Sequence, residues 1–260
     1  MPMRTATIEG IGFWTDGLPS WQAAREFVAG GALPADAARK PSPQLLAPNE
    51  RRRAPETVAV ALEVALAACA EAGRDPSTLS SVFASTHGDL AITDYMCATL
   101  ASEPRTVSPT KFHNSVHNAA AGYWTIGTGC MQGTTAVSAF DASFAQGLVE
   151  ALAQLVDGTE AVLLVAYDNT AVGPLETMSH SRGLLGGALV LSHRSDGPRL
   201  RATLVDGEAP PPAGALARHA AGNSMAPMLP LFDALAGDGN DVVLLKAGPG
   251  RLLRVEIAHG

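Results

Sequence analysis

Apolar residues fall into two patterns along the chain: short continuous runs, and longer segments apolar around the whole helical circumference. Residues 5–13 alternate loosely and close on Gly10 and Gly12, which predicts a first strand. From 18 to 48 the chain is rich in Pro, Gly and Ala and predicts a short helix plus loop. "PETVAVALEVALAACAEAG", 55–73, is the clearest helix, with Pro and Glu at its start and Gly73 at its end. Its apolar positions cover almost every face, so both sides should be packed. The apolar run at 80–85 predicts a buried strand, followed by a loop at 87–89 and helices at 92–100 and 114–127. "TTAVSAF", 134–140, is β-branched and alternating, hence a strand, and 143–157 is a second helix apolar all round. "AVLLVA", 161–166, has the continuous burial of a strand in a sheet covered on both faces. Adjacent strands at 186–193 and 199–205, a helix at 227–235 and strands at 242–247 and 252–257 complete the pattern.

Alternation of strands with helices predicts an α/β layered fold around a mixed, mostly buried five-stranded sheet within residues 1–205. "EAPPPAGA", 208–215, marks a Pro/Ala-rich connector over 206–222, and 223–260 forms a short helix plus hairpin. The net charge of −7 argues against a nucleic-acid-binding role, and Arg51, Arg52 and Arg53 read as a solvated helix entry. The 260 residues hold 47% hydrophobic and 17% charged residues, a globular composition poor enough in charge to hint at partner-covered surface. Cys69, Cys97 and Cys130 have no paired spacing, which predicts a reduced cytoplasmic protein without disulfides or a zinc site. Arg4, Glu9 and Asp16 interrupt the N-terminus, so no signal peptide is expected, and no apolar run approaches the ~18 residues of a membrane span.

Among nucleophiles, Cys69 and Cys97 read as core residues of helices, whereas Cys130 lies in a Gly-Cys-Met-Gln-Gly loop near His113 and His117 in sequence. No G-x-S-x-G elbow occurs, and Ser143 opens a helix without an evident base. "GLLGGA", 183–188, lacks dinucleotide-binding spacing. His113 and His117, four apart, could share a helix face, but no third metal ligand follows at a supporting spacing. No metal and no cofactor is expected.

Five stretches occur in order across 5–205: "VFASTHGD" (82–89), "SPTKFHNSVHNAAAGYW" (108–124), "GTTAVSAFDASFAQGL" (133–148), "AVLLVAYDN" (161–169) and "GGALVLS" (186–192). Together they resemble the N-terminal half of β-ketoacyl synthases, of the thiolase fold. More narrowly they resemble the short chain-length factors of aryl polyene (xanthomonadin-type) pigment clusters. The resemblance implies a thiolase-like layered fold with a truncated second half, of which 223–260 is a remnant. It places the nucleophile position of active relatives at Phe140, Asp141 or Ala142, none of them a cysteine or serine. Cys130 precedes the strand, on the wrong side for that role, and the family's His-Gly-Thr-Gly-Thr and Asn-x-x-x-Gly-His motifs are missing.

What the resemblance implies is a subunit with no catalytic residue of its own. It would form a heterodimer with a full-length β-ketoacyl synthase and meet acyl carrier protein through that complex. Interface and acyl-tunnel wall would then comprise Phe112, His113, Asn114, His117, Asn118, Tyr123, Trp124, Thr135, Val137 and Ala139. The alternative is an independent acyl hydrolase or acyltransferase using Cys130 or Ser143 with His113 or His117.

Overall fold

Two strands with every residue buried, β4 (Ala161–Asp168) and β5 (Leu185–Ser192), form the centre of the protein. Continuous apolar runs of this kind suit a sheet sandwiched between helices, and here both faces are covered. The computed structural model describes residues 4–194, 196–237 and 239–259. Before the central strands come β1 (Arg4–Thr15), α1 (Trp21–Val28), α2 (Pro48–Arg51), α3 (Glu56–Ala72) and β2 (Ser80–Ala84). Then follow α4 (Leu90–Ser102), α5 (Pro109–Asn114), α6 (Ala119–Thr128), β3 (Thr134–Val137) and α7 (Ser143–Val156). Beyond the centre lie β6 (Arg199–Asp206), α8 (Ala215–His219), α9 (Leu229–Ala236), β7 (Asp241–Gly248) and β8 (Arg251–Ala258).

The expected five-stranded sheet is in fact one eight-stranded sheet, in the order β3-β2-β4-β5-β1-β6-β8-β7. Strand β2 pairs in parallel with β3 and β4, while β5 runs antiparallel to β4 and β1. Strand β6 pairs with β1 and β8, so the C-terminal hairpin extends the same sheet. One core layer packs α1, α7, α8 and α9 on one face; the other packs α3 and α6 on the opposite face.

Helix α3 lies close against β1 because β1 carries glycine where the two backbones meet. A Cβ at Gly10 would fall 2.2 Å from the carbonyl oxygen of Ala68, and one at Gly12 would fall 1.9 Å from that of Val64. The helix ends at Gly73, which takes the left-handed conformation (φ 61°) and donates to the last turn. Helix α7 matches its all-round apolar sequence: no residue from Ser143 to Leu155 is exposed.

Three expected elements differ. The helix expected at 114–127 begins only at Ala119, as α6; Asn114 instead ends the separate helix α5, and residues 115–118 lie between the two. Ser115 folds its hydroxyl back onto the Phe112 carbonyl (2.8 Å), the local competition that makes serine a poor interior helix residue. The strand at 134–140 stops at Val137, because the Ser138 hydroxyl donates to the Thr86 carbonyl (2.9 Å) and the chain turns into α7. The Pro/Ala-rich segment 206–222 contains α8, tied to α9 by Asp233, which accepts from the Leu216 and Ala217 amides.

Candidate functional site

The strand ends β2, β3 and β4 point their C-termini at one edge of the molecule, where the sequence-predicted site residues gather. Between β3 and α7 the chain makes a sharp turn at Phe140 (φ 52°), the only non-glycine residue with positive φ among the described residues. Such a conformation is disfavoured for a bulky side chain and marks a strained position. Its carbonyl is held by the Ser143 hydroxyl (2.6 Å), which itself accepts from the Ala139 amide (2.9 Å). The turn leads into the first residue of α7, the strand–turn–helix geometry on which nucleophile elbows are built.

No nucleophile stands there. Phe140 is 70% exposed and meets the His87 ring edge-on at 6.1 Å. The Asp141 carboxylate binds Lys246 of β7 (2.5 Å), and Ala142 is buried. The alternative nucleophiles are engaged otherwise. Cys130 is buried and its thiol faces the Leu79 carbonyl (3.4 Å), while both contacts of the Ser143 hydroxyl go to backbone. Neither is hydrogen-bonded to a histidine among the described residues. His117 donates from Nε2 to the Ser85 carbonyl (2.8 Å), and His113 packs edge-on against Tyr123 (5.8 Å). Cys69 is buried in α3, where loss of water pushes its thiol up to about 12, but Cys97, expected in the core, is exposed on α4.

The other predicted site residues separate by depth. Phe112, His113 and Asn118 are exposed, while His117, Tyr123, Thr135, Val137 and Ala139 are half-buried. Trp124 lies wholly in the core against Phe83 and presents no surface, and Asn114 is buried. Exposed Val116, Ile126 and Met131 join Phe112 and Phe140 as large apolar side chains on the segment around α5, α6 and β3. Strand β3 is itself an edge, paired with β2 alone.

Sequence reasoning undervalued Asp168, at the end of β4. Its buried carboxylate accepts from the Ser85 hydroxyl (2.7 Å), the Thr86 amide (3.0 and 3.1 Å) and the Ser224 hydroxyl (2.8 Å). Burial raises its pKa and these hydrogen bonds oppose the rise. The carboxylate thus joins the loop after β2 to the segment before α9, over more than fifty residues of sequence, a tertiary link without a local signal. Beside it, burial lowers the pKa of His87, which favours the neutral imidazole. No group of three or more His, Cys, Asp or Glu side chains that could hold a metal occurs among the described residues.

A mixed sheet between helical layers, with an elbow at the end of an edge strand, defines a thiolase-like half. A family model described as "Beta-ketoacyl synthase, N-terminal domain" matches residues 21–229, and the chain belongs to that family. Among solved structures it is similar to a chain of the ketosynthase (ApeO) in complex with its chain length factor (ApeC) from Xenorhabdus doucetiae. That match has a TM-score of 0.75 at 23% identity and covers 97% of this chain and 99% of the other. The ishigamide ketosynthase/chain length factor matches with a TM-score of 0.73 at 14% identity, over 98% of this chain and 99% of that one. A ketosynthase from module 6 of the bacillaene synthase of Bacillus subtilis 168 is longer. There the match spans 83% of this chain but 43% of the relative, with a TM-score of 0.55 at 11% identity. No curated protein matches the sequence.

Proposed function

We propose that the chain is a non-catalytic, chain-length-factor-like subunit that pairs with an active β-ketoacyl synthase in polyketide or aryl polyene biosynthesis. The observation that carries this reading is the turn at Phe140, where the strained backbone of an elbow is kept and the side chain offers no nucleophile. Without a thiolate no acyl-enzyme forms, so condensation would belong to the partner. The partner would meet the edge of β3 and the apolar side chains Phe112, Val116, Ile126, Met131 and Phe140 around it. An unpaired edge beside exposed apolar surface invites another chain, and pairing through it would continue one sheet across both subunits. Acyl carrier protein would be met through the assembled complex.

The test is co-expression with candidate full-length ketosynthases, followed by size-exclusion chromatography with mass analysis. A one-to-one complex is expected, and Ala136→Asp or Val137→Asp in β3 should abolish it. Wild-type recovery of both variants with the partner would place the interface elsewhere. Intact-mass analysis after incubation with acyl carrier protein should show no acyl adduct on the chain; a stable adduct on Cys130 or Ser143 would overturn the reading.

A further inference from the structure

Next to the elbow, a cleft of about 290 Å³ opens between the starts of α3 and α4, helix α5 and the end of β4. This is near the lower end of the ~300–1,000 Å³ typical of drug-sized sites, so it suits a small molecule. Most of its polar groups are already engaged. Asp168 on its floor is fully hydrogen-bonded, Asp89 accepts from Thr57 and caps α4, and Glu56 at the rim binds Lys40 (2.9 Å) and Asn169 (3.2 Å). His87 meets the Ser179 hydroxyl.

Three lining groups differ. Asn114 is 5% exposed, and its Oδ1 is buried with no hydrogen-bond partner. Leaving such an acceptor unpaired is costly, and a hydrogen-bond donor in the cleft would recover that cost. Lys111, one helical turn earlier on α5, lies over the Tyr95 ring (4.9 Å) and makes no ion pair among the described residues. Arg53 at the rim likewise has no acidic partner among the described residues. An aliphatic chain would desolvate both cations and leave the Asn114 amide unsatisfied, so the cleft is poorly matched to an acyl tail.

We propose that this cleft binds a small hydroxycarboxylate, its carboxylate groups held by Arg53 and Lys111 and its hydroxyl donated to Asn114 Oδ1. The lining residues all belong to this chain, so binding is tested on the purified chain without a partner. Isothermal titration calorimetry of the purified chain with malate, succinate and inorganic phosphate tests it. Malate should bind saturably. Succinate, which lacks only the hydroxyl, should bind at least roughly tenfold more weakly, because a site built around a hydroxyl rejects the analogue without it. Lys111→Gln and Arg53→Gln, both at the rim, should each weaken malate by about tenfold, as expected for loss of a charge-assisted contact. Asn114→Leu should erase the preference for malate over succinate. No saturable malate binding, equal binding of malate and succinate, or phosphate binding as tightly as malate would each overturn the proposal. Should Asn114→Leu fail to fold, the two rim variants and the malate–succinate ratio still decide it.

Discussion

Strand β2 has two parallel neighbours, and they could hardly differ more. On one side β4 buries all eight of its residues, with Val162, Leu163, Leu164 and Val165 fully enclosed between helical layers. On the other side β3 is four residues long, none of them buried, and its outer edge is unpaired. The same ladder thus holds one enclosed strand and one open edge, the edge at which pairing is proposed. Stability and recognition are separated by a single strand spacing, so substitutions on the two sides should have distinct signatures.

The largest effect is expected at the centre. Leu164→Ala should destabilise the chain by about 2–5 kcal/mol in chemical denaturation, through lost burial and the cavity left behind. Ala136→Asp, on the exposed face of β3, should by contrast leave the melt nearly unchanged and remove the complex. If Ala136→Asp unfolds the isolated chain as severely as Leu164→Ala, the two strands are not specialised as described. Next comes the contact of α3 with β1. Gly12→Ala places a methyl 1.9 Å from the Val64 carbonyl oxygen and should cost about 1–3 kcal/mol as the helix is pushed off the sheet.

A smaller, pH-dependent effect is expected at Glu9, midway along β1. The Arg74 guanidinium binds the Glu9 carboxylate at 2.7 and 2.9 Å and holds its pKa below the usual range, against the opposing effect of burial. The stabilisation from ionised Glu9 is therefore complete above the ordinary glutamate pKa of about 4.3 and lost as pH falls through the depressed folded value. Thermal melts should show a falling midpoint between about pH 5 and pH 2, and Glu9→Gln should flatten that slope while lowering the midpoint at neutral pH. An unchanged slope in the variant would remove Glu9 as its source.

The smallest effect on the isolated chain should have the opposite sign. Phe140→Gly relieves the positive φ and should stabilise the monomer by up to about 1 kcal/mol, less the extra entropy of glycine in the unfolded chain. Because the ring is exposed, the same change should weaken pairing with the ketosynthase. Stabilisation with unimpaired pairing would mean that the ring makes no partner contact.

The central strands, α3 and α7 were legible because continuous burial leaves continuous apolar sequence. The resemblance of 82–89, 108–124, 133–148, 161–169 and 186–192 to ketosynthases led to the right family. The break between α5 and α6 was not legible, since it depends on where Ser115 turns its hydroxyl. The full extent of the sheet was missed for a related reason: alternation identifies β7 and β8 as strands but does not say which sheet they join.

By itself the sequence determined the α/β class, the burial of β4, the presence of Gly10 and Gly12 in β1, and the lack of cysteine or serine at 140–142. Those features follow from composition and spacing along one segment. Only the tertiary structure decided which of Phe140, Asp141 and Ala142 takes the strained turn, that β3 lies at the edge, and that Asn114 is buried with its Oδ1 unpaired. Each depends on side chains and backbones brought together from distant parts of the chain. Residue spacing does not encode such contacts: the Asp168 carboxylate meets Ser85, Thr86 and Ser224 only because the sheet and its flanking loops place them together.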